Sequence, residues 1–266
     1  MNSSSRIAFI DFDGTLLGPD KTVSPANLSA LDKLRAADVQ IVAASGRHHF
    51  NIAGFHEIHD LGWILSSQGA VVRHARTGEV LHEITMRPER VVEVCDLARE
   101  RNLSLIAYHR DGAFIERPSR WTALYARQAG WMPQLRDFRT LPAEGFQKII
   151  WSEKPECIDA MAASLTPELS DRYQMVVTDP ELLEFLAPGA NKATGAKALA
   201  DRLGVDPART FAFGDGNNDV EILGWAGVSV AMHHGRESAR QAARFVSPSG
   251  PPETAFARAV DLALSA

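Results

Sequence analysis

The sequence predicts an α/β protein: a parallel sheet wrapped by helices, interrupted by a smaller α+β insert. Three observations predict it. Short continuous apolar runs such as Ile7-Ala8-Phe9-Ile10 alternate with amphipathic stretches at the start of the chain, the pattern of strands buried on both faces and of crossover helices. From about residue 82 the alternation gives way to hairpin turn signals. After Pro188-Gly189 the alternation returns.

Each element has its own local reason. Ile7–Ile10 is the first strand. Ser24 or Pro25 opens a helix through about Ala37, with Leu28, Leu31 and Leu34 at helical spacing. Gln40–Ala44 is a second strand, Arg47–Gly54 a second helix start, and Trp63–Ser66 a third strand. In the insert, His82–Met86 suits a strand and Pro88–Arg101 a helix. Leu103–Tyr108 and Ala113–Glu116 flank Asp111-Gly112, a hairpin turn signal. Trp121–Gln128 is a helix, Phe146–Trp151 a strand and Pro155–Leu165 a helix. Tyr173–Val177 and Leu182–Leu186 form a second hairpin across Asp179-Pro180. The last part reads as helix Asn191–Leu203, strand Thr210–Phe213, short helix Val220–Leu223 and strand Val228–Ala231. Helix Glu237–Ala243, strand Phe245-Val246 and helix Thr254–Leu264 complete it. The expected organisation is a core of residues 1–81 and 184–266 with an insert at 82–183.

Composition excludes several function classes. The 266 residues are 45% hydrophobic and 23% charged, with a net charge of -5, ordinary for a folded domain that needs no staples. No basic patch points to nucleic acid. Cys95 and Cys157 are isolated, so neither a zinc ribbon nor a disulfide framework is expected, which favours a reducing cytoplasm. No apolar run is long enough for a signal peptide or a membrane span. A small molecule is therefore the expected partner, with the chain a monomer or small homo-oligomer. His56-Glu57-Ile58-His59 is not the zinc-binding His-Glu-x-x-His, because residue 60 is Asp60. The five tryptophans are dispersed and read as core rather than as a base-stacking platform.

Four short segments carry chemistry. Asp11-Phe12-Asp13-Gly14-Thr15 directly follows the first strand, and open α/β sheets bind ligands beyond the carboxyl ends of their strands. Two carboxylates there repel each other unless a cation lies between them, and oxygen ligands suit Mg²⁺. Alone, the pair suits a solvated acidic turn equally well. Gly214-Asp215-Gly216-Asn217-Asn218-Asp219 follows another strand; it fails the EF-hand pattern, with Val220 where glycine is needed. Ser45-Gly46 opens a helix and suits either anion binding or plain N-capping. Lys192 stands at a helix start, where a cation opposes the helix dipole. Phosphate neutralisation is one reason for it; a surface lysine is the other.

The order acid pair, hydroxyl, lysine, acid cluster resembles that of the haloacid dehalogenase-like (HAD) hydrolase superfamily. Asp11-Phe12-Asp13-Gly14-Thr15-Leu16 is similar to its first motif. Ser45, Lys192 and Gly214-Asp215 with Asn218-Asp219 are similar to the second, third and fourth. The insert between the second and third motifs is similar to the type IIB (C2B) cap of Cof-type sugar phosphatases. The resemblance implies a Rossmann-like core with helices on both faces and an inserted cap that closes over the site. It also implies a Mg²⁺-dependent phosphatase acting on phosphomonoesters of small metabolites, sugar phosphates foremost, through an aspartyl phosphate. Asp11 would be the nucleophile and Asp13 the acid and base. Mg²⁺ would be held by Asp11, the Asp13 carbonyl and Asp215. Phe12 and Gly46 N–H groups, Ser45, Lys192 and Asn218 would hold phosphoryl oxygens. Asp219 would stand behind them and orient Lys192 or a water on the metal.

The chain also departs from the family pattern. Ile222 stands where Met is common, and His233-His234-Gly235 where Gly-Asn-Ala is usual. Ser249–Glu253 lacks the common Glu-Asp-Gly. The sequence does not single out the residues that read the leaving group; Tyr108, His109 and Arg110 are candidates, and His233-His234 suits a solvent loop. The alternatives are a phosphomutase of the same superfamily and a receiver-like phospho-signalling module. The latter is about half this length and has no cap.

Overall fold

The computed structural model describes residues 5–52 and 61–266. In chain order, the elements begin with β1 (Arg6–Ile10), α1 (Pro25–Ala36), β2 (Val39–Ala44), β3 (Trp63–Ser66), β4 (Val71–His74) and β5 (Val80–Glu83). There follow α2 (Pro88–Glu100), β6 (Ser104–His109), β7 (Gly112–Ile115), α3 (Arg120–Ala129) and β8 (Gln134–Leu135). Next come β9 (Phe146–Ser152), α4 (Pro155–Leu169), β10 (Gln174–Val177), β11 (Leu182–Leu186) and α5 (Lys192–Leu203). The chain ends with β12 (Thr210–Gly214), α6 (Val220–Trp225), β13 (Val228–Ala231), α7 (Glu237–Ala242), β14 (Phe245–Val246) and α8 (Ala255–Ser265). The helix expected from Arg47 begins instead at Phe50, after a bend through Gly46 and Arg47; its end, and the His56–His59 segment, lie outside the described residues.

The chain divides into two compact units: Met1–Gly46, Ile52–His82 and Asn191–Ala266 make the first, and Arg47–Asn51 with Glu83–Ala190 the second. The expected edge of the insert at 183/184 falls inside β11. That strand lies whole in the second unit, because its partners β9 and β10 flank it there.

The first unit is built on an eight-stranded sheet in the order β14-β13-β12-β1-β2-β3-β4-β5. β1 pairs in parallel with both β2 and β12, and β2–β3, β12–β13 and β13–β14 are also parallel. The continuous apolar runs have a simple cause. Ala8 and Ile10 point into a core shared with Leu31 and Leu34 of α1 and Phe256 and Val260 of α8. Ile7 and Phe9 point to the opposite face, against Ala196 and Leu199 of α5 and Ile222 and Leu223 of α6. A strand covered on both faces has no polar position to show.

The strand expected at His82–Met86 is the edge strand Val80–Glu83; β4 precedes it and pairs antiparallel with β3. The signal that sets this register is the turn after β4. Gly78 adopts φ +72°, and the His74 N–H reaches the Glu79 carbonyl at 2.8 Å. α4 continues past the expected Leu165 to Leu169 with Pro167 inside it. That proline lacks the N–H that would reach the carbonyl four residues back, and the helix ends two residues after it.

The second unit carries a six-stranded sheet in the order β10-β11-β9-β6-β7-β8. β6–β7 and β10–β11 are the two hairpins the turn residues predict. One sheet face packs Leu105, Ile149, Trp151 and Phe185 against α2 and α4 through Val94, Ile158 and Leu165. The other face is mixed: Ile106 and Ile150 pack with Tyr125 of α3. On that face a fully buried ion pair, Lys148 Nζ to Glu184 Oε1 at 2.7 Å, sits beside Tyr108. The lysine lies 4.5 Å from the Tyr108 ring centroid, and the Tyr108 hydroxyl bonds that of Tyr125.

Candidate active site

β1, β2, β3 and β12 run parallel, so their carboxyl ends share one edge of the sheet. β1 is where strand order reverses, with β2 on one side and β12 on the other; a crevice opens at such a point. Asp11 follows β1, Ser45 follows β2, Ser67 and Gln68 follow β3, and Asp215 follows β12.

Asp11 is buried, and its N–H is tied to the Phe213 carbonyl at 3.0 Å. Lys192 opens α5 and is fully buried. Asn191 caps that helix, its side-chain oxygen accepting the Thr194 N–H at 2.9 Å. The lysine's Nζ donates to Asp11 Oδ1 and to Asp219 Oδ1, each at 2.6 Å. Two carboxylates thus supply the reason for a cation at an unfavourable end of a helix. The other oxygen of Asp219 accepts the N–H groups of Asp215 (3.0 Å) and Gly216 (2.9 Å). Asp215 Oδ1 accepts the Thr15 hydroxyl at 3.1 Å. Gly14, at φ +83°, lets the first loop pass directly over Asp215; a Cβ there would collide with that carboxylate. Gly214 gives the same close approach to Asp219.

The electrostatics follow from burial. Burial lifts the Asp11 carboxyl well above the usual carboxylate range; Lys192 opposes this, while Asp219 and Asp215 add to it. Burial, then the charge of Asp219, pushes Asp215 up to about 7. Burial pulls the Lys192 ammonium down, but Asp11 and Asp219 outweigh it and raise it. One ammonium faces three carboxylates, whose oxygens lie within 4.8 Å of one another. Such a group is short of positive charge, and oxygen donors fit a small hard cation. Both Asp219 oxygens already have partners, so Asp11 and Asp215 are the carboxylates suited to hold it.

This has a consequence for stability. Asp215 binds its proton more tightly folded than unfolded, so the stability that proton provides is full below the ordinary carboxylate value of 3.8 and is lost as pH rises through about 7. A divalent cation held by Asp11 and Asp215 would compete with that proton. We expect Mg²⁺ to raise the melting temperature strongly at pH 8 and little at pH 5.5; an equal shift at both pH values would contradict this.

Asp13 lies at the edge of the group, and its carboxylate accepts Lys21 Nζ at 2.7 Å. Ser45 is buried; its carbonyl accepts the Gln68 N–H at 3.2 Å. Gln68 Oε1 in turn accepts Asn218 Nδ2 at 2.8 Å. Gly46 packs so tightly on the Gln68 amide that a Cβ would strike it, and Phe12 is buried with its carbonyl accepting Leu17 N–H at 2.8 Å. All of these belong to the first unit.

Sequence reasoning did not single out Thr15 for its bond to Asp215, nor Gln68 or Lys21, and it weighed His233-His234 as a solvent loop against an approach to the site's rim. Gln68 had a usable signal: a polar run, Ser66-Ser67-Gln68, directly after an apolar strand, as for Asp11 and Ser45. Ser67 (φ +49°) and Gln68 (φ +60°) both take the left-handed backbone region, which costs free energy for residues with a Cβ. His234 sits in an exposed loop as expected, yet its Nε2 reaches the Gly14 carbonyl at 2.9 Å. In the second unit, Tyr108 and His109 are buried and Arg110 pairs with Glu83 at 2.6 Å.

The family model for haloacid dehalogenase-like hydrolases matches residues 8–258. The chain belongs to that family. The HMP-PP phosphatase of Enterobacter sp. (strain 638) is 29% identical to this hydrolase over 229 residues, 86% of this chain and 84% of the relative. The fold is also that of solved structures. A haloacid dehalogenase-like hydrolase from Bacteroides thetaiotaomicron superposes with TM-score 0.85 at 23% identity, covering 97% of this chain and 99% of that one. The HAD subclass IIB sugar phosphatase BT4131 does so with TM-score 0.86 at 18% identity, covering 97% and 98%. Among the described residues of this hydrolase, no helix is long and apolar enough to cross a membrane.

Proposed function

We propose that this hydrolase is a Mg²⁺-dependent phosphatase of small phosphomonoesters, sugar phosphates foremost, working through an aspartyl phosphate. The observation that carries the reading is the buried Asp11, held at 2.6 Å by Lys192 at the point where strand order reverses. The names of the relatives agree: one is a phosphatase and one a sugar phosphatase. Asp11 attacks phosphorus and the P–O ester bond breaks. Asp13 gives a proton to the departing oxygen. A water then attacks the phosphorus of the aspartyl phosphate, Asp13 takes its proton, and phosphate leaves with Asp11 restored. Lys192, Ser45, Asn218 and the N–H groups of Phe12 and Gly46 bind the phosphoryl oxygens. Asp219 orients Lys192 through its one oxygen and the strand-end backbone through the other. Asp11, Asp215 and the Asp13 carbonyl would hold Mg²⁺, whose charge offsets repulsion between carboxylate and phosphoryl group. The second unit has the role of the cap that discriminates leaving groups, and the hydrolase works in the cytoplasm.

The test is a phosphate-release time course on sugar phosphates with Mg²⁺ or with excess chelator, alongside chromatography of the sugars. Continuous release over many turnovers, Mg²⁺-dependent, is expected. Asp13→Ala should lose on the order of 10²–10⁴-fold of the rate, the usual worth of general acid–base help. A positional isomer of the sugar with little free phosphate would instead identify a phosphomutase. Release that stops near one equivalent per chain would identify a signalling protein.

A further inference from the structure

The turn after the first motif carries a cation that the reaction described above does not use. Gly18 N–H reaches the Thr22 carbonyl and Lys21 N–H the Gly18 carbonyl, both at 2.9 Å. The Asp20 carboxylate accepts the Thr22 N–H at 3.0 Å and the Thr22 hydroxyl at 2.8 Å. Inside this closed turn Lys21 adopts φ +62°, a backbone conformation costly for a residue with a Cβ. The outcome of that conformation is that Lys21 Nζ lies 2.7 Å from Asp13 Oδ1. Both side chains stay open to solvent, the lysine 48% and the aspartate 37% exposed. An exposed ion pair by itself contributes little to stability, so the pair explains neither the strained residue nor the four-bond turn that aims it.

We infer that Lys21 reads a second anionic group, carboxylate or phosphate, on the leaving group of the substrate. The inference rests on the proposed role of Asp13 as the group that protonates the leaving oxygen. That oxygen then lies one hydrogen bond from Asp13, and the ammonium lies one hydrogen bond from Asp13 on its solvent side. Two such bonds in series across one carboxylate put the ammonium within about 7.5 Å of the leaving oxygen. A carboxylate or phosphate a few bonds from the ester oxygen spans that distance. The Asp20 carboxylate stays ionised, but both of its oxygens are engaged by Thr22, so Lys21 is the cation this turn offers. A neutral sugar alcohol at the same place has nothing to pair with it.

Two matched substrate pairs test this with Mg²⁺ present: 3-phosphoglycerate against glycerol 3-phosphate for a carboxylate, and phenyl diphosphate against phenyl phosphate for a phosphate. The readout is the ratio of kcat/KM within each pair. The wild type should favour the anionic member of at least one pair, which also identifies the anion. Lys21→Met should lower that ratio about tenfold, the usual scale of one charge-assisted bond, and Lys21→Arg should retain most of it. No wild-type preference in either pair, or an equal loss on both members in Lys21→Met, would overturn the inference while leaving the phosphatase intact. Failure of the wild type to hydrolyse any of the four compounds or any sugar phosphate would overturn the phosphatase reading itself.

Discussion

Asp11→Asn should abolish turnover while leaving the folded protein at least as stable as before. The side chain keeps its shape and can still accept from Lys192, but an amide oxygen does not attack phosphorus to give a stable intermediate. The expected loss is about 10⁴-fold or more, the scale seen when a covalent nucleophile is removed. The stability half of the expectation follows from the electrostatics. Burial and the charges of Asp219 and Asp215 outweigh Lys192 and hold the Asp11 carboxyl well above its usual range. Its ionised form is therefore under-compensated, and a neutral amide removes that cost. Without metal, the melting temperature of Asp11→Asn should equal or exceed that of the wild type at pH 8, with the difference shrinking toward pH 5. A clean preparation that still releases phosphate steadily would remove Asp11 from the nucleophile's role. A lowered melting temperature would make the lost activity a folding defect.

Lys192→Met should cost the most stability. Its ammonium is fully buried and makes 2.6 Å bonds to two buried carboxylates. Removing one partner of a buried charge group typically costs about 3–5 kcal/mol, because the remaining charges stay desolvated. For a protein of this size that lowers the melting temperature on the order of 10 °C. The sign of the pH dependence is set by the carboxyls. Asp11 and Asp215 already sit above the usual range, and loss of Lys192 moves Asp11 further up. A raised carboxyl contributes stability while protonated, so the defect should be largest at pH 8 and partly relieved at pH 5. Activity should fall as well, since the proposed reaction has the same ammonium bind the phosphoryl oxygens. A variant as stable as the wild type at pH 8 would show that the lysine is not the counter-charge the geometry makes it.

The two substitutions separate two demands on one cluster. Asp11 is kept ionisable in a place where ionisation is disfavoured, a cost accepted where chemistry needs it. Lys192 limits that cost by setting one positive charge against the three carboxylates before any cation arrives. Asp219, with both oxygens bonded, fixes where the lysine points.

Much of the first unit is legible locally. Ile7–Ile10 and Thr210–Phe213 read as buried strands because alternate residues enter two different cores, which leaves no polar position in either run. Asp11 and Asp215 read as site candidates because each is the first acid after such a strand. Helix starts are equally local: Ser24 and Asn191 accept N–H groups three residues on. Hairpins β6–β7 and β10–β11 are encoded in Asp111-Gly112 and Asp179-Pro180 and the runs beside them. What the sequence alone determined, then, is which residues can enter a core, turn or cap, since those depend on neighbours a few positions away. Only the tertiary structure decided which residues meet. β8 has two residues, too few to show any period, and exists because β7 pairs with it. Lys192 and Asp11 are 181 positions apart, and their contact follows from α5 packing beside the parallel strands. Asp215 and Asp219 look alike in sequence, and they part only because the backbone N–H groups after β12 claim one oxygen of Asp219. Gln68 showed only as a polar run after a strand, and Lys21 not at all, for the same reason: their importance lies in the partner across the fold or turn, Asn218 or Asp13, and a partner's position is set by topology and backbone geometry rather than by residue type.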